Sequence, residues 1–172
     1  DVKPNKEMIR YMVLNSLRGF NVKHSEEWGE IVLCADAKDP WRKEFFPNYK
    51  HSRKQARQDG PFDWDNIFTI LTEIRNEVRD NFPYKVMYVE NAEADDIIAT
   101  IVKLQEEDKY LIISGDKDFI QLQHYGNVYQ WSPLLKGFIG EQEDSVKFLR
   151  TQIIKGDRSD GVPNILSDDE IF

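Results

Sequence analysis

The chain has 172 residues, a hydrophobic content of 40% and a formal net charge of −8 at pH 7. This length fits one domain with a core of its own, and the acidic balance argues against nonspecific adhesion to nucleic acid. A single cysteine, Cys34, excludes an internal disulfide and favours an intracellular, cytoplasmic protein. The sequence has no apolar run of membrane-spanning length, so we expect no membrane partner.

Apolar periodicity predicts alternating helices and strands along the chain. Predicted helices cover residues 5–22, 63–80, 93–105, 117–123 and 142–155. Predicted strands cover residues 30–35, 85–89, 109–114 and 127–131. The basic and aromatic segment 40–61 has no clean period and is interpreted as a loop. This order predicts an α/β fold with a mostly parallel central sheet and helices on both faces.

Acidic residues gather at several places that the predicted fold brings together. The most informative is Ile113-Ser-Gly-Asp116-Lys-Asp118, where a buried strand opens into two carboxylates. Asp36 follows the first predicted strand, and two further groups are Glu93-Ala-Asp95-Asp96 and Gly156-Asp157-Arg-Ser-Asp160-Gly161. Ligand sites of such sheets lie beyond the carboxyl ends of the strands. We therefore expect Asp36 and the groups at 93–96 and 116–118 at one edge.

Each acidic group also has an interpretation that needs no ligand. The acids at 93–96 can compensate a helix dipole, because acidic residues are favoured in a first turn. Those at 116–118 can form a turn, although a turn needs one aspartate and not two around a lysine. Those at 157–160 can be turn or cap residues. These alternatives stay open at this point.

The ligand types favour magnesium or manganese. Zinc prefers Cys and His, and the three histidines show no paired spacing, whereas oxygen-only sites suit hard divalent cations. Two ions about 3.5–4 Å apart would support in-line phosphoryl displacement. The candidate metal ligands are Asp36, Glu93, Asp95, Asp96, Asp116, Asp118, Asp157 and Asp160, of which Asp116 and Asp118 are also catalytic candidates.

The segment from Arg42 to Arg57 reverses the acidic balance of the chain and carries interleaved aromatic residues. Basic side chains contact phosphates and aromatic rings stack on unpaired bases, so this pattern indicates a nucleic-acid substrate. A solvated charged face is the alternative. The candidate nucleic-acid contacts are Arg42, Lys43, Tyr49, Lys50, Arg53, Lys54 and Arg57.

Four motifs, in this order, resemble the 5′-nuclease family of flap endonucleases, DNA polymerase I 5′-nuclease domains and phage 5′-nucleases. They are Tyr49-Lys50-His-Ser-Arg53, Glu93-Ala-Asp95-Asp96, Ser114-Gly-Asp116-Lys-Asp118 and Gly156-Asp157-Arg-Ser-Asp160-Gly-Val-Pro163. Leu33-Cys-Ala-Asp36 and Gln130-Trp-Ser-Pro133 look most like the ribonuclease H branch of T-even phages.

The resemblance implies a magnesium-dependent, structure-selective 5′-nuclease, working as a monomer, that removes RNA primers or flaps during DNA replication. Its substrate would be a DNA or RNA–DNA duplex with a 5′ end or flap, and replication proteins would be further partners. Two Mg²⁺ or Mn²⁺ ions would be its cofactors. Lys50 and Arg53 match basic residues of the family's arch, here the loop 40–61, which act as catalytic residues on the scissile phosphate.

The resemblance also implies a division of the chain. Residues 1–140 would be the catalytic region, and residues 141–172, including Gly156 and Gly161, would begin a helix–turn–helix element that grips duplex DNA. The family's first strand would precede residue 1, and the rest of the duplex-binding element would follow residue 172. We therefore expect a gap in the sheet, with Asp36 facing it near Asp116.

Two other functions remain alternatives. One is a noncatalytic nucleic-acid-binding fragment, which cleavage assays would separate from a nuclease. The other is a small-molecule phosphatase with a nucleophilic aspartate. Its Asp-x-Asp pair would normally follow an early strand, whereas Asp116 follows the third predicted strand.

Overall fold

Helices and strands alternate along the chain, as the periodicity predicts. The computed structural model of the protein describes residues 5–105, 107–140, 144–158 and 160–167. Its helices are α1 (Lys6–Trp28), α2 (Arg42–Phe45), α3 (His51–Gln58), α4 (Trp64–Asn81), α5 (Ala94–Leu104) and α6 (Ser145–Lys155), with a 3₁₀ helix at Lys117–Tyr125. Its strands are β1 (Val32–Ala35), β2 (Lys85–Tyr88), β3 (Tyr110–Ile113), β4 (Val128–Ser132) and β5 (Gly137–Phe138). The predicted α/β fold is confirmed.

The longer helices begin where a short polar side chain caps the first turn. Asn5 accepts hydrogen bonds from the backbone N–H groups of Glu7 and Met8 at the start of α1. Asp63 and Asp144 cap α4 and α6 in the same way. Such caps satisfy backbone donors that have no partner inside the helix, so they set where each helix begins.

The strands form two small sheets. β1 pairs in parallel with β2, β3 pairs in parallel with β4, and the two-residue strand β5 adds to β4 in antiparallel orientation. The parallel pairing is confirmed. No ladder of hydrogen bonds joins the two sheets within the described residues, so the sheet is interrupted there, in agreement with the expected gap. A strand as short as β5 has too few residues to show a period.

Each sheet has its own hydrophobic cluster, which explains how two short sheets can be stable. Beside β1 and β2, the buried residues are Leu17, Ile70, Ile74 and Val78 of α1 and α4. Around β3 and β4, they are Val102, Ile112, Phe119, Leu122 and Val128. Helices therefore cover each sheet and hold its strand ends in position.

The segment 40–61 differs from its predicted irregular structure, because it contains the helices α2 and α3. The eight residues of α3 offer no apolar stripe for a periodicity search to detect. Their shared face is cationic instead, formed by Arg53, Lys54 and Arg57 together with Lys50 at the helix start. Arg53 and Lys54 are each three or four positions from both Lys50 and Arg57, so the four side chains lie on the same side of the helix.

The carboxyl-terminal part of the described chain contains α6 and the turn that follows it. α6 packs against the 3₁₀ helix, so residues beyond 140 contribute to the same body as the predicted catalytic region. The second helix of the predicted helix–turn–helix would fall outside the described residues, so that element and the 1–140 and 141–172 boundaries stay predictions. None of the helices in the described ranges is long and apolar enough to cross a membrane.

Candidate active site

Three of the predicted acidic groups meet at the strand ends, as expected. Asp36 follows β1 directly, and its Oδ1 accepts a 2.7 Å hydrogen bond from the backbone N–H of Ala94 in the first turn of α5. Asp116 follows β3 after two residues and caps the 3₁₀ helix through a 3.0 Å bond from the N–H of Asp118. The end of β1, the start of α5 and the loop after β3 thus converge.

The first acidic group surrounds Asp95. Removal from water, followed by the negative charges of Asp116 and Asp36, raises the pKa of Asp95 to about 6, and the charge of Glu93 adds to this effect. These carboxylates therefore repel one another across short distances. Asp36 and residues of the groups at 93–96 and 116–118 thus lie close together in the structure, as predicted.

The second acidic group surrounds Asp118. Burial raises its pKa, and the charges of Asp116, Asp157 and Asp160 act in the same direction, while a hydrogen bond with Gln152 opposes them. Asp116 is therefore common to both groups. The site is best described as two adjoining clusters of carboxylates that share one aspartate.

Glu93 is the most deeply placed carboxylate, at 6% exposure. Its Oε1 accepts a 2.7 Å hydrogen bond from Nζ of Lys50, and its Oε2 accepts from the Tyr49 hydroxyl at 2.9 Å and from Arg42 at 3.0 Å. Burial alone would lower the pKa of Lys50, but the bonds to Glu93 and Tyr49 raise it. Three predicted nucleic-acid contacts thus lie inside the acidic centre.

Asp96 has a structural role. It completes a capping box with Glu93, because its Oδ2 accepts a 3.0 Å bond from the Glu93 backbone N–H. Arg42 binds both of its carboxylate oxygens, at 2.7 and 2.8 Å, and Trp41 donates to it at 3.2 Å. The hydrogen bond from Arg42 holds the pKa of Asp96 below its ordinary value. Its assignment as a metal ligand stays a prediction.

The turn after α6 contacts the start of α3. The Asp160 side chain forms an ion pair with Arg53, and its backbone carbonyl accepts a 3.0 Å bond from the N–H of Lys50. Lys50 has a left-handed backbone with φ of 55°. A non-glycine residue in this region is strained and persists only where its surroundings enforce it. The backbone bond to Asp160 and the side-chain bond to Glu93 hold Lys50 in this conformation between the two acidic clusters.

The two glycines predicted to contact nucleic acid shape this turn. Gly156 has φ of 69°, and a Cβ there would lie 2.4 Å from the carbonyl oxygens of Val162 and Pro163. Gly161 has φ of 75° and lies beside the backbone carbonyl of Asn48. Both glycines are explained by close backbone approach within the protein. Their contact with nucleic acid stays a prediction.

Three of the predicted basic contacts lie outside the acidic centre. Lys43 pairs with Asp39 at 3.3 Å. Lys54 is exposed on α3, and the guanidinium of Arg57 lies over the rings of Trp64 and Phe68. Lys54 and Arg57 are on α3, whereas Lys43 is on α2.

Gln130 positions the Asp116 loop, although periodicity gave it no role. This side chain on β4 is 1% exposed, and its Nε2 donates to the carbonyl oxygens of Ser114 and Asp116. The sequence could have indicated this role for Gln130, because an amide side chain on a buried strand needs hydrogen-bond partners inside the protein. Gln152 of α6 forms a hydrogen bond with Asp118. Nothing in the sequence distinguishes it from other polar residues on a half-buried helix.

The donor set fits a hard divalent cation by its chemistry, since every candidate ligand is a carboxylate. Within the described ranges, however, no three carboxylate, imidazole or thiol groups converge as a ready ligand set for one ion. Several of their oxygens are bonded to Lys50, Arg42 and Arg53 instead. Cationic side chains thus supply the neutralising charge in this arrangement.

The fold and the site define an α/β protein in which carboxylates at strand ends adjoin a basic helix. The model of the 5′-3′ exonuclease, N-terminal resolvase-like domain matches residues 6–153, so the chain belongs to this family of 5′-3′ exonucleases. The resemblance in the sequence motifs is confirmed.

Relatives agree with this assignment. Ribonuclease H of Enterobacteria phage T4 is 41% identical over 170 residues, which cover 95% of this chain and 55% of the relative. Flap endonuclease Xni of Shewanella woodyi is 30% identical over 154 residues, which cover 83% of this chain and 57% of the relative. The chain thus spans little more than half of the length of these relatives.

Solved structures share the fold. The T5 D15 protein co-crystallized with metal ions matches with a TM-score of 0.75 and 20% identity, over 95% of this chain and 65% of that one. The bacteriophage T5 D15 flap endonuclease in a pseudo-enzyme–product complex with DNA and metal ions matches with a TM-score of 0.72 and 20% identity. That match covers 94% of this chain and 63% of the T5 chain.

Asp95→Asn is expected to stabilise the protein when metal is absent. The folded-state pKa of Asp95, about 6, lies above its ordinary value of 3.8, so this group lowers stability as pH rises from about 4 to about 6. After allowance for solvent screening, we expect the substitution to raise the free energy of unfolding by roughly 1 kcal/mol at pH 8. This corresponds to a melting temperature about 2–4 °C higher. Thermal unfolding in EDTA at pH 4 to 8 measures this. If the melting temperatures of the variant and the unaltered protein differ most at pH 4, the pKa of Asp95 does not cause the difference.

Proposed function

We propose that this protein is a magnesium-dependent, structure-selective 5′-nuclease that removes RNA primers or flaps during DNA replication. The observation that carries the proposal is the pair of carboxylate clusters that share Asp116, with Lys50 and Arg53 directly beside them. An acidic centre binds cations, and the adjoining basic groups bind phosphate. Phosphodiester hydrolysis is the reaction that uses both together.

In this proposal the carboxylates would divide between two ions. Asp36, Glu93 and Asp95 would hold one ion, Asp118, Asp157 and Asp160 would hold the other, and Asp116 would contact both. Two Mg²⁺ or Mn²⁺ ions would supply Lewis-acid stabilisation at the phosphate and a nucleophilic water. The mutual repulsion that raises the pKa of Asp95 and Asp118 supports this proposal, because bound cations would relieve it.

Lys50 and Arg53 would bind the scissile phosphate. In the structure Lys50 pairs with Glu93 and Arg53 pairs with Asp160. These ion pairs hold the ammonium and guanidinium groups beside the carboxylates, where an incoming phosphate would meet them. Their place between the clusters would then let them stabilise the charge that develops on the phosphoryl oxygens.

The substrate would be a DNA or RNA–DNA duplex with a 5′ end or flap. The T4 relative is a ribonuclease H, the Shewanella relative is a flap endonuclease, and the T5 neighbour was solved with DNA and metal ions. The basic face of α3 and the turn with Gly156 and Gly161 would contact the nucleic-acid backbone. Residues 141–172 would begin the duplex-binding element, and replication proteins would be further partners of a monomeric enzyme.

Cleavage of a 5′-labelled flap substrate tests the proposal. Cleavage at the junction is expected with Mg²⁺ or Mn²⁺, and none is expected in excess EDTA. Full activity in EDTA would refute metal dependence. Binding without cleavage under all metal conditions would favour a noncatalytic protein, and a trapped phospho-aspartate with a small phosphate ester would favour the phosphatase alternative.

A further inference from the structure

Gln130 is a polar side chain at a position where a buried strand usually carries an apolar one. It stands on β4 opposite Ile112 of β3, and the buried residues Val128 and Trp131 lie on the same strand. At 1% exposure it lies deeper than these apolar neighbours. Its Oε1 has no hydrogen-bond partner in the described part of the chain. Burial of an unpaired polar atom costs free energy, so the amide must have a role that an apolar side chain could not fill.

That role is to hold the loop after β3. The ladder between β3 and β4 ends where the N–H of Ser114 donates to the backbone carbonyl of Trp131 at 3.1 Å. Beyond this point, Nε2 of Gln130 donates to the carbonyl oxygen of Ser114 at 2.9 Å and to that of Asp116. Only the amino end of an amide can donate, so the two carbonyl acceptors fix its orientation. One side chain thus holds the peptide groups that precede Gly115 and follow Asp116.

Two further hydrogen bonds complete the fixation of Asp116. Its backbone N–H donates to Ser114 Oγ at 3.1 Å, and its Oδ1 accepts from the N–H of Asp118 at 3.0 Å. None of the described residues donates a hydrogen bond to the other carboxylate oxygen, Oδ2. The backbone and one side-chain oxygen of Asp116 are therefore held by the protein, and Oδ2 is available to a cation.

We propose that Gln130 is a positioning residue that holds Asp116 in the direction from which the acidic centre gains its affinity for divalent cations. This inference rests on the proposed function for the identity of the ligand. Partners that orient a metal ligand typically account for about tenfold to a hundredfold in metal affinity. The charge of Asp116 acts on both Asp95 and Asp118, so a misdirected Asp116 weakens cation binding in both clusters.

The test measures binding of Mn²⁺ alone, without nucleic acid, by electron paramagnetic resonance of the free ion. Gln130→Met has nearly the size of glutamine but no donor, and it should weaken Mn²⁺ binding about tenfold to a hundredfold. Gln130→Asn keeps the amide on a shorter side chain. It should show a smaller loss, and it decides the question if Gln130→Met does not fold. In cleavage assays, both variants should need more Mg²⁺ for the half-maximal rate and approach the unaltered rate at saturating Mg²⁺.

A second measurement needs no metal. In EDTA, the amide of Asp118, which donates to Asp116, should exchange its hydrogen about tenfold faster in Gln130→Met because the loop opens more often. Asn127→Leu is the matched control, because Asn127 donates its side-chain amide to the carbonyl of Asp108 at the amino ends of the same two strands. This control should also lower the melting temperature, but it should leave Mn²⁺ affinity and Asp118 exchange unchanged.

The outcomes separate a positioning role from a purely structural one. If folded Gln130→Met and Gln130→Asn bind Mn²⁺ as tightly as the unaltered protein, or if Asn127→Leu loses as much affinity as they do, the inference is wrong. Cleavage by the unaltered protein in Mg²⁺ is scored separately. Loss of Mn²⁺ affinity in the Gln130 variants without cleavage by the unaltered protein would refute only the proposed nuclease. Cleavage by the unaltered protein with normal Mn²⁺ affinity in the variants would refute only the role of Gln130.

Discussion

Asp116→Asn is expected to reduce Mg²⁺-dependent cleavage of a flap substrate by about a hundredfold to a thousandfold. The charge of Asp116 acts on both Asp95 and Asp118, so in the proposed mechanism its neutralisation should weaken the binding of both ions. Each ion contributes several kcal/mol of charge stabilisation in such sites. Single-turnover cleavage at saturating protein concentration, with a Mg²⁺ titration, measures the loss.

The fold should survive this substitution. The Asp116 side chain caps the 3₁₀ helix by accepting from Asp118, and asparagine can accept the same bond. Asp80→Asn is a matched control, because Asp80 is a carboxylate on α4 that forms an ion pair with its neighbour Arg79, away from the acidic centre. Circular dichroism should be unchanged in both variants. If Asp116→Asn cleaves at the wild-type rate at low Mg²⁺, Asp116 is not needed to bind the ions that the mechanism requires.

The parts of the site that follow strands could be predicted from the sequence. Each of Asp36 and Asp116 comes just after an apolar run, and the geometry of parallel strands places such residues at one edge. The helices and strands could be predicted for the same reason, because their apolar residues repeat with the period of the element. The apolar periodicity of the sequence therefore predicts a helix or strand wherever that element buries one face in the core.

The contacts between sequence-distant polar residues could not be predicted. The pairing of Arg42 with Asp96 joins residues 54 positions apart, and no local rule selects it among the many possible ion pairs. The helix α3 escaped detection because its shared face is charged and not apolar. The division into two sheets depends on which strand edges meet, and the period of a strand does not specify its neighbour.

The basic residues have two roles that a sequence cannot separate. In the structure, Lys50, Arg42 and Arg53 neutralise carboxylates that would otherwise repel one another. In the proposed reaction, two of them bind a phosphate instead. The ion pairs with Glu93 and Asp160 hold Lys50 and Arg53 beside the acidic centre, where the proposed reaction places the phosphate.

Lys50→Met is expected to lower the single-turnover cleavage rate by about a hundredfold or more and to change duplex affinity much less. Lys50 lies between the two clusters in a left-handed conformation, so its ammonium has a fixed position where charge would develop in the transition state. Loss of one preorganised donor to such charge has an effect of this size. Binding of the whole duplex depends on many phosphate contacts, of which this substitution removes one.

The comparison with Lys54→Ala identifies the role of Lys50. Lys54 is an exposed cation on the same face of α3, one turn from Lys50, so its loss should weaken affinity and leave the rate at saturation nearly unchanged. Lys50→Arg keeps the charge and should recover part of the rate. Lys50→Met also removes a partner of buried Glu93, which costs roughly 1–3 kcal/mol, so both variants are assayed well below their melting temperatures. If Lys50→Met has a normal rate at saturation and only weaker binding, Lys50 positions the substrate and does not act on the scissile phosphate.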